Sequence, residues 1–340
     1  MIRSSGRFLS LADLPGSDLQ RVTDLALEIK MRGRYQQRHG EGRRVGLVFL
    51  NPSLRTRASM ELAAQAEGAH VTCVTPGQEA WKLDLRPGAV MDGDAAEHLL
   101  DAVRVLSEMV DVLAVRCFAG LADLEEDRRE PVLSLFARES RVPVVNMESA
   151  LDHPLQALAD LVTMQEEFGR DLRGVPVTLT WAPHPRALPL AVPAAFLRGC
   201  ARAGMRIRVA APPGFELPQF LLDEARALAP SDARVEVFDD QREAVRDTRV
   251  VYAKAWAAPS LYGDPEAGAA ARRAHAGWTV TEPLMALGHD AIFMHCLPVR
   301  RNVVVADEVL DGPRNRAYRE AGNRYHTARA VLATLLGGLA

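Results

Sequence analysis

The sequence predicts an α/β protein built from two doubly wound domains with mostly parallel sheets, linked by interdomain helices. Three observations carry that expectation. Short runs rich in Val, Ile and Leu recur along the chain, each separated by a helix-like stretch, as in a parallel sheet with crossover helices. Most of these runs are continuously apolar rather than alternating, as strands covered on both faces are. At 340 residues the chain is too long for one ordinary core, and two domains of roughly 150 residues are the natural division. The first domain is expected over 1–150 and the second over 151–324, with a last helix over 325–340 packing back on the first.

The expected strands of the first half are Val45–Leu50, His70–Val74, Val110–Phe118 and Val142–Met147. Those of the second half are Val175–Trp181, Ile207–Ala211, Arg234–Phe238, Val250–Ala255 and Ala291–Leu297. Among the helices, Met60–Glu67 is closed by Gly68. Asp94 stands where it can cap the next one, with Glu97 three residues on. That helix carries Leu99, Val103, Leu106 and Val110 at helical spacing. Leu155–Phe168 follows His153-Pro154 and ends at Gly169, tying the halves together, and Ala328–Leu339 reads as the final helix. No internal repeat or low-complexity segment is visible.

Composition narrows the function classes. Hydrophobic content of 48% and charged content of 25% are those of a soluble globular protein. A net charge of −3 gives no reason to expect nucleic acid or an acidic membrane as partner. No apolar run approaches the roughly 20 residues of a membrane span. The opening Met-Ile-Arg-Ser-Ser-Gly-Arg lacks the apolar core of a signal peptide. The cysteines at 73, 117, 200 and 296 show neither metal-ligand spacing nor a disulfide framework, which fits a reducing compartment. A cytoplasmic protein with no metal, cofactor, nucleic-acid or membrane partner is expected. No Gly-x-Gly-x-x-Gly turn follows a strand, which disfavours a nicotinamide-binding oxidoreductase.

Residues 50–59 read Leu-Asn-Pro-Ser-Leu-Arg-Thr-Arg-Ala-Ser. Ser53, Leu54, Arg55, Thr56 and Arg57 thus stand where a strand turns into a helix. Helix N-terminal amides supply donors and partial positive charge for a phosphate, and arginines add planar charged forks. The plainer reading is a surface loop that happens to carry arginines. Arg116 closes an apolar run, either as a solvated strand end or as a further guanidinium for an anion. His153 opens a helix directly after a strand, so it either caps that helix or turns its ring into a cleft. Cys296 is by itself an inert core thiol or part of a site, and Arg324 by itself an ordinary surface charge. The motifs stand at strand carboxyl ends, where open α/β sheets bind ligands, so a shared interdomain site is expected.

Three segments together resemble the signatures of the aspartate/ornithine carbamoyltransferase family: Ser53-Leu-Arg-Thr-Arg57, His153-Pro-Leu-Gln156 and His295-Cys-Leu-Pro298. The resemblance implies that the first domain binds carbamoyl phosphate and the second the acceptor amine. It implies Ser53, Leu54, Arg55, Thr56, Trp81, Arg116, His153, Gln156, Cys296, Leu297 and Arg324 as carbamoyl-phosphate contacts. His153, Arg116 and Cys296 would be catalytic: His153 and Arg116 polarise the carbamoyl carbonyl, and Cys296 with the Leu297 carbonyl lies against both substrates without acting as nucleophile. Gln156 would hold the carbamoyl NH2. The family also implies a homotrimer with shared active sites, Trp81 and its loop coming from the adjacent subunit. A catalytically dead paralogue or a phosphate-binding sensor is disfavoured by the completeness of the motifs.

The acceptor side departs from the ornithine enzymes, which typically carry Asp-Gly-Asn-Asn after the strand Val175–Trp181 and a Ser-Met-Gly loop before His-Cys-Leu-Pro. Here stand Trp181-Ala-Pro-His-Pro-Arg and Lys254-Ala-Trp-Ala-Ala, and Trp81 lies in a Pro76–Lys82 loop. These features are similar to the N-acylornithine carbamoyltransferases of arginine biosynthesis. Acylation removes the α-ammonium, so the site needs carboxylate binders, for which Lys254 and Arg300 are candidates, and an amide partner, for which Glu148 is. Ala96 stands where the acetyl branch carries a glutamate, and Val304 where that branch carries a lysine. N-succinylornithine is therefore favoured as acceptor, with N-acetylornithine, and further off free ornithine, as alternatives.

Overall fold

Unbroken apolar runs become buried strands, and the stops between them are set by caps and left-handed residues. The structure, a computed structural model, describes residues 6–33, 38–230 and 234–337. The first five residues, part of the stretch read for a signal peptide, and the last three of the expected final helix lie outside the described residues. The chain divides into two units, one of Met1–Ala119, Arg128–Leu155 and Arg324–Ala340, the other of Gly120–Asp127 and Gln156–Asn323.

In the first unit the strands are β1 (Arg7–Phe8), β2 (Arg44–Phe49), β3 (His70–Val74), β4 (Leu83–Asp84), β5 (Glu97–His98), β6 (Val112–Arg116) and β7 (Val144–Glu148). Five of them form a sheet in the order β1-β7-β6-β2-β3, all parallel. The β6–β7 register shifts between Val115 and Arg116, so that Val115 pairs with Asn146 but Arg116 with Glu148. Such a bulge re-aims the side chains beyond it. Val48, Val103, Leu113, Val115, Phe136 and Val144 belong to one buried cluster of this unit.

The second unit holds β8 (Pro176–Trp181), β9 (Arg206–Ala210), β10 (Val235–Phe238), β11 (Val250–Lys254) and β12 (Ile292–Met294) in the order β10-β9-β8-β11-β12, again all parallel. Val251, Ala253, Val280, Phe293, Val305 and Leu310 share a buried cluster there. Parallel strands put their carboxyl ends on one side of each sheet. Phe49, Arg116 and Glu148 thus end strands together in the first unit, and Trp181, Lys254 and Met294 in the second.

Four expectations about elements need correction. The helix after β2 is Leu54–Ala66, six residues longer at its start than expected, because the Ser53 hydroxyl caps it by accepting from the Thr56 N–H at 3.2 Å. Asp94 caps nothing. The next helix begins at Leu99 behind His98, whose Nδ1 accepts from the Leu100 N–H, while Asp94 pairs with Lys82 at 2.7 Å and Glu97 lies in β5. The final helix is Ala317–Leu336, so Arg324 sits inside it rather than before it. The last strand also stops early, at Met294, and Leu297 beyond it takes a left-handed φ of 54°.

Candidate functional site

The first unit gathers a cationic cluster on Thr56. Capping by Ser53 starts the helix at Leu54, and the first turn of a helix carries N–H groups with no intrahelical acceptor. Thr56, fully buried in that turn, receives two guanidinium groups on its hydroxyl: Arg116 Nη1 at 3.3 Å and Arg324 Nη2 at 2.7 Å. Arg116 comes from the end of β6 and is 7% exposed; Arg324 comes from the final helix and is 4% exposed. Arg116 also donates to Glu148 at the end of β7, and His153 Nε2 lies 3.4 Å from the same carboxylate oxygen, Glu148 Oε2. The bulge in β7 is what brings Glu148 opposite Arg116. Two buried guanidinium groups on one hydroxyl concentrate positive charge at the start of this helix.

The loop that carries His153 is fastened from behind. The Glu130 carboxylate accepts from the Ser149 hydroxyl at 2.7 Å and from the N–H groups of Ala150 and Leu151 at 3.1 and 2.7 Å. Burial raises the Glu130 pKa against those hydrogen bonds. His153 itself is 2% exposed.

Other candidates lie elsewhere on this unit. Arg57 does not join the cluster: it donates to Glu61 at 2.9 Å and reaches Glu79 at 3.7 Å, one turn along its own helix and across to the next loop. The guanidinium groups on Thr56 are those of Arg116 and Arg324 instead. Trp81 is 62% exposed, its ring N–H donating to Glu97 at 2.6 Å, and Ala96 is exposed beside the short β4–β5 pair, its N–H donating to the Lys82 carbonyl. The structure brings neither to the Thr56 cluster.

In the second unit, Gln156 is fully buried and its Nε2 donates to Asp160 at 2.8 Å and to Glu320 at 2.7 Å. Glu320 accepts in turn from the His295 N–H at 2.9 Å, so it also holds the start of the turn that carries Cys296 and Leu297. The Leu297 N–H donates to His295 Nδ1 at 2.8 Å. A leucine at positive φ is costly and persists only where its surroundings enforce it, a frequent mark of a working loop. Cys296 is 7% exposed and hydrogen-bonds the buried Tyr252 hydroxyl.

Lys254, at the end of β11, is 9% exposed, and among the described residues its ammonium has no hydrogen-bond or ion-pair partner. Arg300 is exposed. The two meet electrostatically at His184, a residue that the sequence reading passed over although it stands in the quoted Trp181–Arg186 stretch. Burial holds its pKa down; the Arg186 carbonyl works against that, and the charges of Lys254, Arg300 and Arg272 add to the depression. Asp160 and Glu320 were likewise passed over. Asp160 could have been found from its place one helical turn after Gln156; Glu320, 164 residues away in sequence, carried no local signal. Among the described residues no group of three or more His, Cys, Asp or Glu is placed to hold a metal ion.

The sequence matches the model of the aspartate/ornithine carbamoyltransferase carbamoyl-P binding domain over residues 7–166 and that of the Asp/Orn binding domain over 192–335. The N-acetylornithine carbamoyltransferase of Xanthomonas campestris is 41% identical over 304 residues, 87% of this chain and 88% of that one. The N-succinylornithine carbamoyltransferase of Bacteroides thetaiotaomicron is 39% identical over 335 residues, 98% and 99% of the two chains. Among solved structures, a glutamate-to-alanine mutant of N-acetyl-L-ornithine transcarbamylase, complexed with carbamyl phosphate and N-succinyl-L-norvaline, superposes with a TM-score of 0.93. It is 39% identical and covers 97% of this chain and 99% of that chain. With both family domains matched and these relatives aligned over most of its length, the chain belongs to the aspartate/ornithine carbamoyltransferase family, in its N-acylornithine branch.

Proposed function

We propose that this chain transfers the carbamoyl group of carbamoyl phosphate to the δ-amine of an N2-acyl-L-ornithine, giving the N-acyl-citrulline and phosphate in arginine biosynthesis, in the cytoplasm. The observation that carries the reading is the pair of buried guanidinium groups on Thr56, from Arg116 and Arg324. Ser53, Leu54, Arg55 and Thr56 take the phosphate with the helix N-terminus, and Arg116 and Arg324 take its charge and the carbamoyl oxygen. Gln156 accepts from the carbamoyl NH2.

The neutral δ-amine attacks the carbamoyl carbon. A C–N bond forms, the carbonyl pair moves onto oxygen, and the C–O bond to phosphate then breaks. Arg116 and His153 donate to the oxyanion, each such donor being worth about 3 kcal/mol of the barrier. The departing phosphate takes the amine proton. Glu148 has Oε2 engaged with Arg116 and His153, which leaves Oε1 for the acceptor's amide N–H. Lys254, Arg300 and His184 hold the acceptor's carboxylates, Cys296 and the Leu297 carbonyl flank the amine, and no metal or cofactor takes part. The molecule is a homotrimer with shared active sites, Trp81 and Ala96 serving the neighbour's site; an exposed Trp81 on a loop apart from its own cluster supports that assignment.

N-succinyl-L-ornithine is the favoured acceptor. A carboxylate at position 96 would repel the succinyl group, and Ala96 removes both charge and bulk. A relative whose glutamate is replaced by alanine is found complexed with N-succinyl-L-norvaline, which supports the same reading. N-acetyl-L-ornithine stands as the second reading, because relatives of both kinds align at similar identity. The test is ureido-product formation from carbamoyl phosphate with N-succinylornithine, N-acetylornithine and ornithine in parallel. Turnover with an acylated acceptor only is expected, with the higher kcat/KM for the succinyl form. Turnover with free ornithine alone overturns the acceptor assignment, and turnover with none overturns the function.

A further inference from the structure

Gln156 is held in one orientation by two acids that do not themselves reach a substrate. Both hydrogens of its NH2 are taken, one by Asp160 Oδ1 at 2.8 Å and one by Glu320 Oε1 at 2.7 Å. Its carbonyl Oε1 is buried and has no hydrogen-bond partner among the described residues. Turning the amide over would set that oxygen against two carboxyl groups and leave the NH2 unpaired, so the pair dictates the orientation. The acids are themselves fixed. Glu320 Oε2 accepts from the His295 N–H, Oε1 lies 3.5 Å from the Tyr252 hydroxyl, and the Asp160 carboxyl is within hydrogen-bonding reach of Glu320. Both acids are essentially fully buried. Burial, and then the neighbouring Asp160, hold the Glu320 pKa well above the carboxylate range.

We propose that Asp160 and Glu320 are positioning residues that lock the Gln156 amide with its carbonyl outward, making it an obligate hydrogen-bond acceptor that selects an acyl phosphate bearing NH2 over one bearing CH3. The inference rests on the reading of carbamoyl phosphate as substrate. A site with a buried acceptor rejects an analogue that cannot donate to it, because the acceptor is then left unpaired. Acetyl phosphate, which matches carbamoyl phosphate except for methyl in place of NH2, is the analogue that reads this out.

The two acids are not equivalent, and that makes the lock testable. Both Glu320 oxygens accept from protein N–H groups, so Glu320→Gln must present an NH2 to one of those donors. Its relief is for Gln156 to turn over, converting acceptor into donor. Asp160→Asn can keep Oδ1 as acceptor for Gln156 while its new NH2 donates to Glu320. The measurement is the ratio of the acetyl phosphate inhibition constant to the carbamoyl phosphate dissociation constant, with kcat, for the full-length wild type and both variants. In the wild type the ratio is expected to be 100 or more, on the order of what one hydrogen bond to a buried polar group commands.

Glu320→Gln is expected to cut that ratio at least tenfold, and Asp160→Asn to hold it within about threefold, with turnover preserved. Glu320→Asp, which keeps the charge but withdraws the carboxyl by one methylene, is expected to fall between them and serves if Glu320→Gln does not fold. An unchanged ratio in Glu320→Gln, or equal loss of turnover in both isosteric variants with the ratio intact, overturns the lock. Absence of carbamoyl phosphate binding in the wild type would instead sink the proposed function, so the two failures are distinct.

Discussion

At the scale of single residues, the proposed reaction separates groups that bind from groups that act on the reacting carbon. Thr56, Arg116 and Arg324 are joined by direct hydrogen bonds, whereas His153 Nε2 lies against the Glu148 carboxylate. His153→Ala is therefore expected to lower kcat by about a hundredfold, as loss of one oxyanion donor does, while the carbamoyl phosphate dissociation constant shifts by less than threefold. Equal loss of both, read by calorimetry and steady-state rates, would remove the assigned role. His184 gives a pH signature. Its folded pKa lies below the unfolded value of about 6.5, chiefly through burial and then through the Lys254, Arg300 and Arg272 charges. Below that pH the unfolded chain takes up a proton that the folded one resists, so stability falls as pH falls. The stability difference between wild type and His184→Asn, followed by denaturant unfolding, is expected to shift toward the variant between pH 7.5 and 5.5. A pH-independent difference would contradict this.

At the scale of elements, the anion cluster depends on one helix start. Residues 53–57 read as phosphate-binding from their types alone, yet what aims them is the Ser53 cap, which begins the helix at Leu54 and buries Thr56 on its inner face. Ser53→Ala removes the cap. The expected cost is about 1 kcal/mol of stability, read from denaturant midpoints, together with weaker carbamoyl phosphate binding; full binding with lowered stability would show that Ser53 only caps. The other end of the helix is anchored by a buried ion pair, Glu67 with Arg329 of the final helix at 2.9 Å. That pair ties the stretch carrying Arg324 to the helix carrying Thr56; all four residues belong to the first unit. The expectations of a late-starting helix after β2 and of an Asp94 cap failed for a common reason. Several Ser, Asp and His residues near each boundary can cap, and the choice among them is made by packing, which puts His98 rather than Asp94 at the Leu99 helix start.

At the scale of the whole molecule, the groups proposed as catalytic come from distant points of the chain, and the trimer proposal adds a second chain. The test uses two variants that are each expected to be inactive, Trp81→Ala and His153→Ala. In mixed trimers, a site formed between neighbours can receive the intact Trp81 of one and the intact His153 of the other. Random mixing in equal amounts then restores about a quarter of the wild-type sites if neighbours share them. No recovery, with subunit exchange shown by mass, would place Trp81 in its own subunit's site. No helix among the described residues is long and apolar enough to cross a membrane.

The strands, their parallel pairing and the main motifs were legible in the sequence, because continuous apolar runs and short polar signatures are local properties. The resemblance that suggests roles for Ser53, Arg55, Thr56, His153 and Gln156 was legible too, because its signatures are short runs of sequence. What only the tertiary structure decided was which charges meet. Arg116 faces Glu148 because of a one-residue bulge between β6 and β7; Arg324 reaches Thr56 across 268 residues; Glu320 and Asp160 converge on one amide nitrogen; and Arg57, alike in sequence to Arg55, is spent on Glu61 and Glu79. Hydrogen bonds and ion pairs act over a few ångströms in space, so Arg324 with Thr56 and Glu320 with Gln156 leave no trace in spacing, whereas Asp160 and Glu61 stand one helical turn from Gln156 and Arg57.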